Sequence, residues 1–214
     1  MTKKERTQRI LDYFHAQQPE ITTELEFGSV FQLLCAVVLS AQCTDKRVNM
    51  VTPELFKIYP TPQLMAQAEA EDIREIISSV SYPNAKADHL ARLARKIVDD
   101  FNGEVPETLD EMTSLPGVGR KTANVMLAVA FGKAAMPVDT HVFRVSHRLQ
   151  LVPKSADTPE KVERYLVKLI PSALLSRAHH WLLLHGRYVC TSRKAHCEKC
   201  EIAAYCPSAK KYEQ

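Results

Sequence analysis

The chain has 214 residues, a formal net charge of +3, and 45% hydrophobic and 25% charged side chains. This length fits one large domain or two small ones around a packed core. No apolar run approaches the roughly 20 residues that span a bilayer, and the polar residues 1–6 are not followed by a signal region. We therefore expect a cytoplasmic protein without a membrane segment, in which thiols stay reduced.

Helical periodicity runs along almost the whole chain. The spacing of Thr2 and Glu5 predicts a capping box at the start of a first helix. The nearly uninterrupted apolar residues 30–39 predict a helix buried on most sides. Residues 84–101 place apolar side chains on one stripe, and Asn102-Gly103 follows as a helix-ending signal. Three threonine–proline pairs predict further helix starts: Thr52-Pro53, Thr61-Pro62 and Thr158-Pro159. Sustained apolar–polar alternation is missing, so we predict an all-α fold.

A glycine-containing turn lies between two helical patterns, where residues 115–123 read LPGVGRKTA. Gly117 and Gly119 permit positive φ and close backbone approach, and the amides that open the next helix can hold a phosphate. A dinucleotide fingerprint would need a third glycine after a strand, and a Walker A loop would need glycine directly before Lys121. The pattern favours a helix-hairpin-helix over a plain turn between helices.

Basic residues are concentrated in two stretches of an otherwise balanced chain. Residues 115–150 hold five basic residues and one acid, Asp139, while residues 187–211 hold six basic residues and two acids. Together they indicate a polyanionic partner, although either stretch alone fits a solvated face. Asp139 precedes a predicted helix, so its ordinary role is an N-cap. The same carboxylate can also serve a cleft that it faces.

Cysteines are crowded near the end of the sequence, where four of the six fall within 17 residues in the pattern C-x6-C-x2-C-x5-C. Four thiolates at this spacing suit a zinc ion or a [4Fe-4S] cluster better than two disulfides. Zinc ribbons usually bring two C-x2-C knuckles together and this chain has one, which favours the cluster. The four expected ligands are Cys190, Cys197, Cys200 and Cys206, whereas Cys35 and Cys43 are expected in the core.

Together these motifs resemble the endonuclease III family of bacterial base-excision glycosylases. The resemblance covers essentially the whole chain and is carried by LSAQCTD at 39–45, LPGVGRKTAN at 115–124, VDTHVFRV at 138–145, HHWLLLHGRYVC at 179–190 and the cysteine loop. One loop departs from the family pattern. Where the family commonly has Gly-Leu-Tyr or Gly-Phe-Tyr, this chain reads Val80-Ser81-Tyr82-Pro83-Asn84. That loop probes the DNA opposite the damaged base, so the preferred lesion and opposite base stay open.

The resemblance implies a two-lobed helical architecture. A six-helix lobe at residues 23–133 would contain the helix-hairpin-helix at about 109–128. Residues 1–22 and 134–214 would form a second lobe closed by the [4Fe-4S] cluster at 190–206. Damaged double-stranded DNA would lie across the groove between the lobes, with the target nucleotide flipped out. The protein is expected to be a monomer associated with the bacterial nucleoid.

The resemblance also assigns roles to individual residues. Lys121 would be the nucleophile, because an amine that displaces the base leaves a Schiff base from which β-elimination cuts the strand. Asp139 would stabilise positive charge on the sugar or assist deprotonation of the amine. The remaining expected DNA contacts are the wedge residue Gln42, the hairpin residues Gly117, Gly119 and Arg120, the cleft residue His141, and Arg193 and Lys194 in the cluster loop. Three other histidines are expected in the core: His179, His180 and His185.

Two other functions fit parts of the sequence. An adenine-specific mismatch glycosylase shares the hairpin and the cysteine spacing, but it usually lacks the lysine and carries a long C-terminal recognition domain. A non-catalytic DNA-binding module would need neither Lys121 nor Asp139, and this chain has both. The sequence therefore favours a bifunctional glycosylase and lyase.

Overall fold

A computed structural model describes residues 1–209, so Lys210 and Lys211, the last two basic residues of the second basic stretch, lie outside the described residues. The all-α prediction is confirmed, because the described residues form helices and no strand, with one isolated β-bridge between Cys190 and Ala195. The α-helices are α1 (Lys3–Gln17), α2 (Val30–Leu39), α3 (Asp45–Ile58), α4 (Pro62–Ala66), α5 (Ala70–Ile76), α6 (Pro83–Phe101), α7 (Leu109–Ser114), α8 (Arg120–Val129), α9 (Thr140–Arg148), α10 (Pro159–Leu169) and α11 (Leu175–Tyr188). Short 3-10 turns occur at Ser172–Leu174, Cys197–Lys199 and Ala203–Tyr205. No helix of residues 1–209 is long and apolar enough to cross a membrane.

Most helix ends follow the capping signals in the sequence. Thr2 and Glu5 form the predicted capping box, with the Thr2 amide 2.8 Å from Glu5 Oε2 and the Glu5 amide 3.2 Å from Thr2 Oγ1. Thr61 and Thr158 cap α4 and α10, each with proline in the first turn. Asn102 ends α6 in the left-handed region at φ 53°. Local side-chain chemistry therefore determines these boundaries.

The prediction of a helix start at Thr52-Pro53 is wrong. Pro53 lies inside α3, which begins after Thr44, whose hydroxyl accepts a hydrogen bond from the Arg47 amide. A proline in a helix removes one backbone hydrogen bond. The helix continues because its apolar stripe extends past the proline, with Val48, Val51 and Leu55 all buried. Tertiary burial outweighs the local breaking signal here.

The described chain divides into two compact units, and the first is continuous from Glu24 to Phe131. It contains α2 to α8 around one hydrophobic core. Eight of the ten residues of α2 are buried, which confirms the expected core helix, and Cys35 within it has no exposed surface. Cys43 is only partly buried and packs against the same core. Helix α6 packs on α4 and α5 through its apolar stripe.

The second unit is formed by Met1–Thr23 together with the residues that follow Phe131. Its core joins α1 to α9, α10 and α11. Trp181 is 1% exposed, and its Nε1 donates to the Gln18 carbonyl at 3.0 Å. Helices α9 and α11 pack closely at Gly186, where a Cβ would lie 2.8 Å from His141 Cβ. Only glycine permits this approach, so the spacing of the two helices depends on that residue.

Candidate functional site

The predicted hairpin lies between α7 and α8 in the unit 24–131. Its turn is closed by the Val118 amide, which donates to the Leu115 carbonyl at 3.1 Å, and the Val118 side chain is buried. Gly117 has φ +76°, and a Cβ there would lie 2.9 Å from His89 Cβ. Gly119 is the N-cap of α8 at φ −87°, with no atom within 4 Å of an added Cβ. Gly117 is thus required by the turn itself, whereas Gly119 keeps the surface of the turn open.

The residues after this turn begin α8 on its solvent side. Arg120 and Lys121 are its first two residues and both are exposed, while Ala123 is buried. The Gly119 cap supplies no side-chain oxygen to the first-turn amides. A helix N-terminus without a side-chain cap favours an external anion. The hairpin therefore presents a basic, phosphate-compatible helix start.

Asp139 belongs to the other unit and is the N-cap of α9. Its Oδ1 accepts a hydrogen bond from the Val142 amide at 2.8 Å, which confirms the predicted cap. The residue is half-buried, and the buried Val138 precedes it. Because one carboxylate oxygen is engaged in the cap, the direction of the other oxygen is fixed by the helix. Capping and a chemical role are therefore compatible in this residue.

Gln42 lies in the turn that follows α2, where it is exposed and has φ +54°. The Gln42 carbonyl accepts a hydrogen bond from Ser81 Oγ at 2.8 Å. Ser81 belongs to the loop that departs from the family pattern, and its neighbour Tyr82 is 65% exposed at φ +56°. Lys86 Nζ also donates to this turn, a contact that the sequence analysis missed. The sequence did hold a signal for its burial, because Lys86 lies four residues before Leu90 and therefore on the buried stripe of α6.

The four C-terminal cysteines line one pocket. Arg148 and His185 also line it, with Arg148 Nη1 3.3 Å from Cys190 Sγ and His185 Nε2 3.9 Å from Cys200 Sγ. Among residues 1–209, no three His, Cys, Asp or Glu side chains are grouped closely enough to hold a single metal ion. The four expected ligands nevertheless line the same pocket: Cys190, Cys197, Cys200 and Cys206.

Burial opposes ionisation of two of the four cysteine thiols in this pocket. Burial, and then the neighbouring thiols, raise the pKa of Cys200 to about 11, and burial also raises the pKa of Cys206. Burial lowers the pKa of His185 to about 4, so this side chain is neutral at physiological pH. Several thiolates facing one another repel, and a bound metal group removes that repulsion. The donor set is therefore suited to a metal centre.

The segment between the first two cysteines forms a short closed loop. Cys190 and Ala195 pair in an antiparallel bridge, and Thr191 Oγ1 donates to the Lys194 carbonyl at 2.6 Å and accepts from the Lys194 amide at 3.2 Å. Arg193 and Lys194 are exposed at the tip of this loop. Their position suits contact with a phosphate backbone.

Two arginines of the first basic stretch have internal partners. The Arg144 guanidinium donates to the carbonyls of Gly186 at 2.8 Å and Cys190 at 3.2 Å, and it lies 3.2 Å from His141 Nδ1. Arg148 donates to the Thr191 carbonyl at 2.7 Å. These side chains hold the first cysteine segment against α9, so they have a structural task besides their charge. The linear sequence could not indicate this, because their partners lie more than forty residues away.

The three histidines that were expected in the core divide between the core and the cysteine pocket. His179 and His180 are buried as predicted, with their Nδ1 atoms 2.9 Å and 3.0 Å from the Pro137 and Ser176 carbonyls. The core interpretation of His185 needs a correction, because this half-buried side chain lines the cysteine pocket. It lies in the last turn of α11, five residues before Cys190 on the chain, and both residues line the same pocket.

The chain is similar to DNA repair proteins along its full length. Residues 35–172 match the HhH-GPD superfamily base excision DNA repair protein family. Endonuclease III of Synechocystis sp. is 46% identical over 209 residues, which are 97% of this chain and 94% of that protein. Endonuclease III of Escherichia coli K12 is 42% identical over 213 residues, with 100% of both chains covered. The solved structure of a trapped endonuclease III–DNA covalent intermediate has a TM-score of 0.92, at 41% identity and 100% coverage of both chains.

Proposed function

Because this chain belongs to the endonuclease III family of base excision DNA repair proteins, we propose that it removes oxidised pyrimidines from duplex DNA and then cuts 3′ to the abasic site. The observation that carries the proposal is the position of Lys121, the second residue of α8, in the first turn after the Gly117–Gly119 segment. A phosphate held by the first-turn amides would place the damaged strand beside this amine. The enzyme is thus a bifunctional glycosylase and lyase.

Lys121 is proposed as the nucleophile. Its amine forms a bond to C1′ as the bond from C1′ to the base breaks, and the base leaves with a proton. The sugar ring then opens: the C1′–O4′ bond breaks, O4′ takes up a proton, and the amine nitrogen and C1′ form a Schiff base. The Schiff base acidifies the C2′ proton, and loss of that proton breaks the bond from C3′ to its oxygen, which leaves with the 3′ phosphate. A water nucleophile would release the base without cutting the strand. Strand cleavage therefore depends on the amine.

Asp139 is proposed as the carboxylate that assists base loss. Positive charge develops on the sugar as the glycosidic bond breaks, and a fixed carboxylate stabilises it. The cap to the Val142 amide supports this role, because it holds the side chain in one orientation before DNA binds.

A [4Fe-4S] cluster is proposed in the pocket lined by the four cysteines. Its chemical contribution is structural: four thiolates bound to one rigid core hold the loop of Arg193 and Lys194 in shape. The 6-2-5 spacing, with only one C-x2-C pair, supports the cluster over a single zinc ion. A zinc-bound protein would lack the absorbance near roughly 410 nm that cysteine-ligated iron clusters show.

The DNA contacts are proposed in three groups. The hairpin residues Gly117, Gly119 and Arg120 hold the damaged strand by its phosphates, and Arg193 and Lys194 grip the backbone elsewhere. Two further side chains act at the flipped nucleotide: Gln42 fills the gap that the base leaves, and His141 lines the cleft.

The deciding experiment is a panel of duplexes, each with one lesion, scored separately for base release and for strand nicking. Borohydride added during turnover should trap a protein–DNA adduct that maps to Lys121. The Lys121→Gln variant should lose trapping and nicking but keep binding to damaged DNA, because the phosphate-holding amides are backbone groups. The proposal fails if Lys121→Gln still nicks abasic sites and still forms the adduct. Release of adenine from mismatches would favour an adenine-specific mismatch glycosylase. Binding without any cleavage would favour a non-catalytic DNA-binding module.

A further inference from the structure

The turn that carries Gln42 accepts three hydrogen bonds from side chains of the segment 81–86, around the start of α6. Lys86 Nζ donates to the carbonyls of Leu39 and Ala41, each at 2.7 Å. Ser81 Oγ donates to the carbonyl of Gln42 itself at 2.8 Å. Three of the four carbonyls of residues 39–42 thus have a side-chain donor from the segment 81–86.

Lys86 is a buried cation, with 5% of its surface exposed. A buried ammonium is costly unless it is hydrogen-bonded. Its two acceptors lie where α2 ends, and the last carbonyls of a helix lack partners within the helix. The helix dipole also favours a cation at that end. The chain therefore stabilises a buried charge at the point where the Gln42 turn begins.

The same residue belongs to the first turn of α6, next to the exposed Tyr82. The Lys86 amide donates to the Tyr82 carbonyl at 3.1 Å, in the first turn of α6. Tyr82 and Gln42 both have left-handed backbone conformations, with φ +56° and +54°. Such conformations cost energy in residues other than glycine and persist only where surrounding contacts enforce them. For the Gln42 turn, the Lys86 side chain supplies two of these contacts.

We propose that Lys86 is the positioning residue of Gln42, holding its turn in the DNA-ready conformation before any DNA is bound. The inference rests on the proposed function, because the wedge role of Gln42 belongs to it. Lys86 does not contact the DNA; its ammonium fixes the carbonyls on either side of Ser40 and so fixes the direction of the Gln42 side chain. A preformed turn avoids an ordering cost at the moment of binding.

The test begins with Lys86→Met, which keeps an unbranched stem and removes the three donors. Single-turnover base excision from a duplex with a stacked lesion should fall about tenfold. The free energy of ordering one backbone residue corresponds to a change in rate of about that factor. Strand cleavage at a preformed abasic site should fall less than about threefold, because no base has to be pushed out of the stack. Lys96→Met on the same helix, where Lys96 pairs with Asp100 at the surface, is the matched control and should leave both rates unchanged.

A double-mutant cycle separates positioning from general destabilisation. If Lys86 acts through Gln42, the double variant Gln42→Ala with Lys86→Met should excise no more slowly than Gln42→Ala alone. Effects that multiply would overturn the inference, as would equal losses at the stacked lesion and at the abasic site. If Lys86→Met does not fold, Ser81→Ala takes its place in the cycle, with an expected loss of about threefold and the same non-multiplication.

The wild-type protein distinguishes the two possible failures. If it excises no oxidised pyrimidine, the proposed function fails whatever the variants do. If it excises normally and Gln42→Ala is impaired, but Lys86→Met and Ser81→Ala match the wild type, only the positioning role is overturned.

Discussion

At the scale of single residues, Asp139 shows how one side chain can have a structural and a chemical task. Its position before a helix predicted the N-cap, and the structure confirms the bond to the Val142 amide. The partners of Lys86 and Arg144 could not be predicted, because each depends on a carbonyl about forty or more residues distant on the chain. Sequence motifs describe local hydrogen bonds well, and they say little about buried cations that bond to remote backbone.

The two tasks of Asp139 can be separated by substitution. Asp139→Asn keeps a good N-cap, so stability should be unchanged while base excision slows by roughly 10²–10⁴, the usual weight of one acid–base group. Asp139→Ala should lose the same activity and also about 1 kcal/mol of unfolding free energy. Urea unfolding and single-turnover kinetics measure the two effects. Unimpaired excision by Asp139→Asn would exclude a catalytic carboxylate at this position.

At the scale of helices and turns, capping residues predicted the starts of α1, α4 and α10, and the Asn102-Gly103 signal predicted the end of α6. The Thr52-Pro53 signal failed because the buried stripe of α3 extends across the proline. Local signals thus predict an element boundary unless tertiary burial competes with them. In the hairpin turn the local signal and the packing agree, because the positive φ of Gly117 and its close contact with His89 both require glycine.

The two glycines of the hairpin should respond oppositely to substitution. Gly117→Ala forces a Cβ into a left-handed residue 2.9 Å from His89 Cβ, so stability should fall by about 1–3 kcal/mol. Gly119→Ser adds a good N-cap in open space, so stability should hold or rise. Its hydroxyl would occupy a first-turn amide, and affinity for abasic DNA should fall on the order of tenfold. Tighter DNA binding by Gly119→Ser would argue against a phosphate at this helix start.

The loop between the first two cysteines should contribute affinity without selecting the lesion. Replacing Arg193 or Lys194 by glutamine should weaken binding similarly for every lesion and reduce the salt dependence by about one unit each. Lys168→Gln, an exposed lysine on α10, is the control and should leave the salt slope unchanged. Binding titrations over a range of salt concentrations test this, and a loss confined to one lesion would contradict it.

At the scale of the whole molecule, the resemblance of separate motifs in the same order identified the family, and the full-length similarity to endonuclease III proteins agrees with it. Periodicity predicted helices but not which of them share a core. The structure shows that α1 shares a core with α9, α10 and α11, although more than a hundred residues separate them on the chain. Long-range packing of this kind leaves no local pattern in the sequence.

The two groups of cysteines should differ in their effect on bound metal. Cys200→Ser removes a thiol that lines the pocket, so iron content and soluble yield should fall. Cys35→Ser changes a thiol in the core of the other unit and should leave iron content unchanged. Iron and zinc analysis of both purified variants provides the measurement. Iron lost from Cys35→Ser but kept by Cys200→Ser would contradict the ligand assignment. Zinc in place of iron would show that the site holds a zinc ion and not a cluster.

The burial of Trp181 has a practical consequence, because it is the only tryptophan in the chain. It lies in the discontinuous unit, 1% exposed, with its ring stacked on Phe14 at a centroid distance of 6.1 Å. Selective excitation of indole fluorescence therefore reports on that unit alone, whereas far-ultraviolet circular dichroism reports on the helices of both units. Denaturation followed with the two signals would show coincident midpoints if the units unfold as one cooperative system, and separate midpoints if they do not. Trp181 is thus a native fluorescence reporter for the unit formed by Met1–Thr23 and residues 132–209.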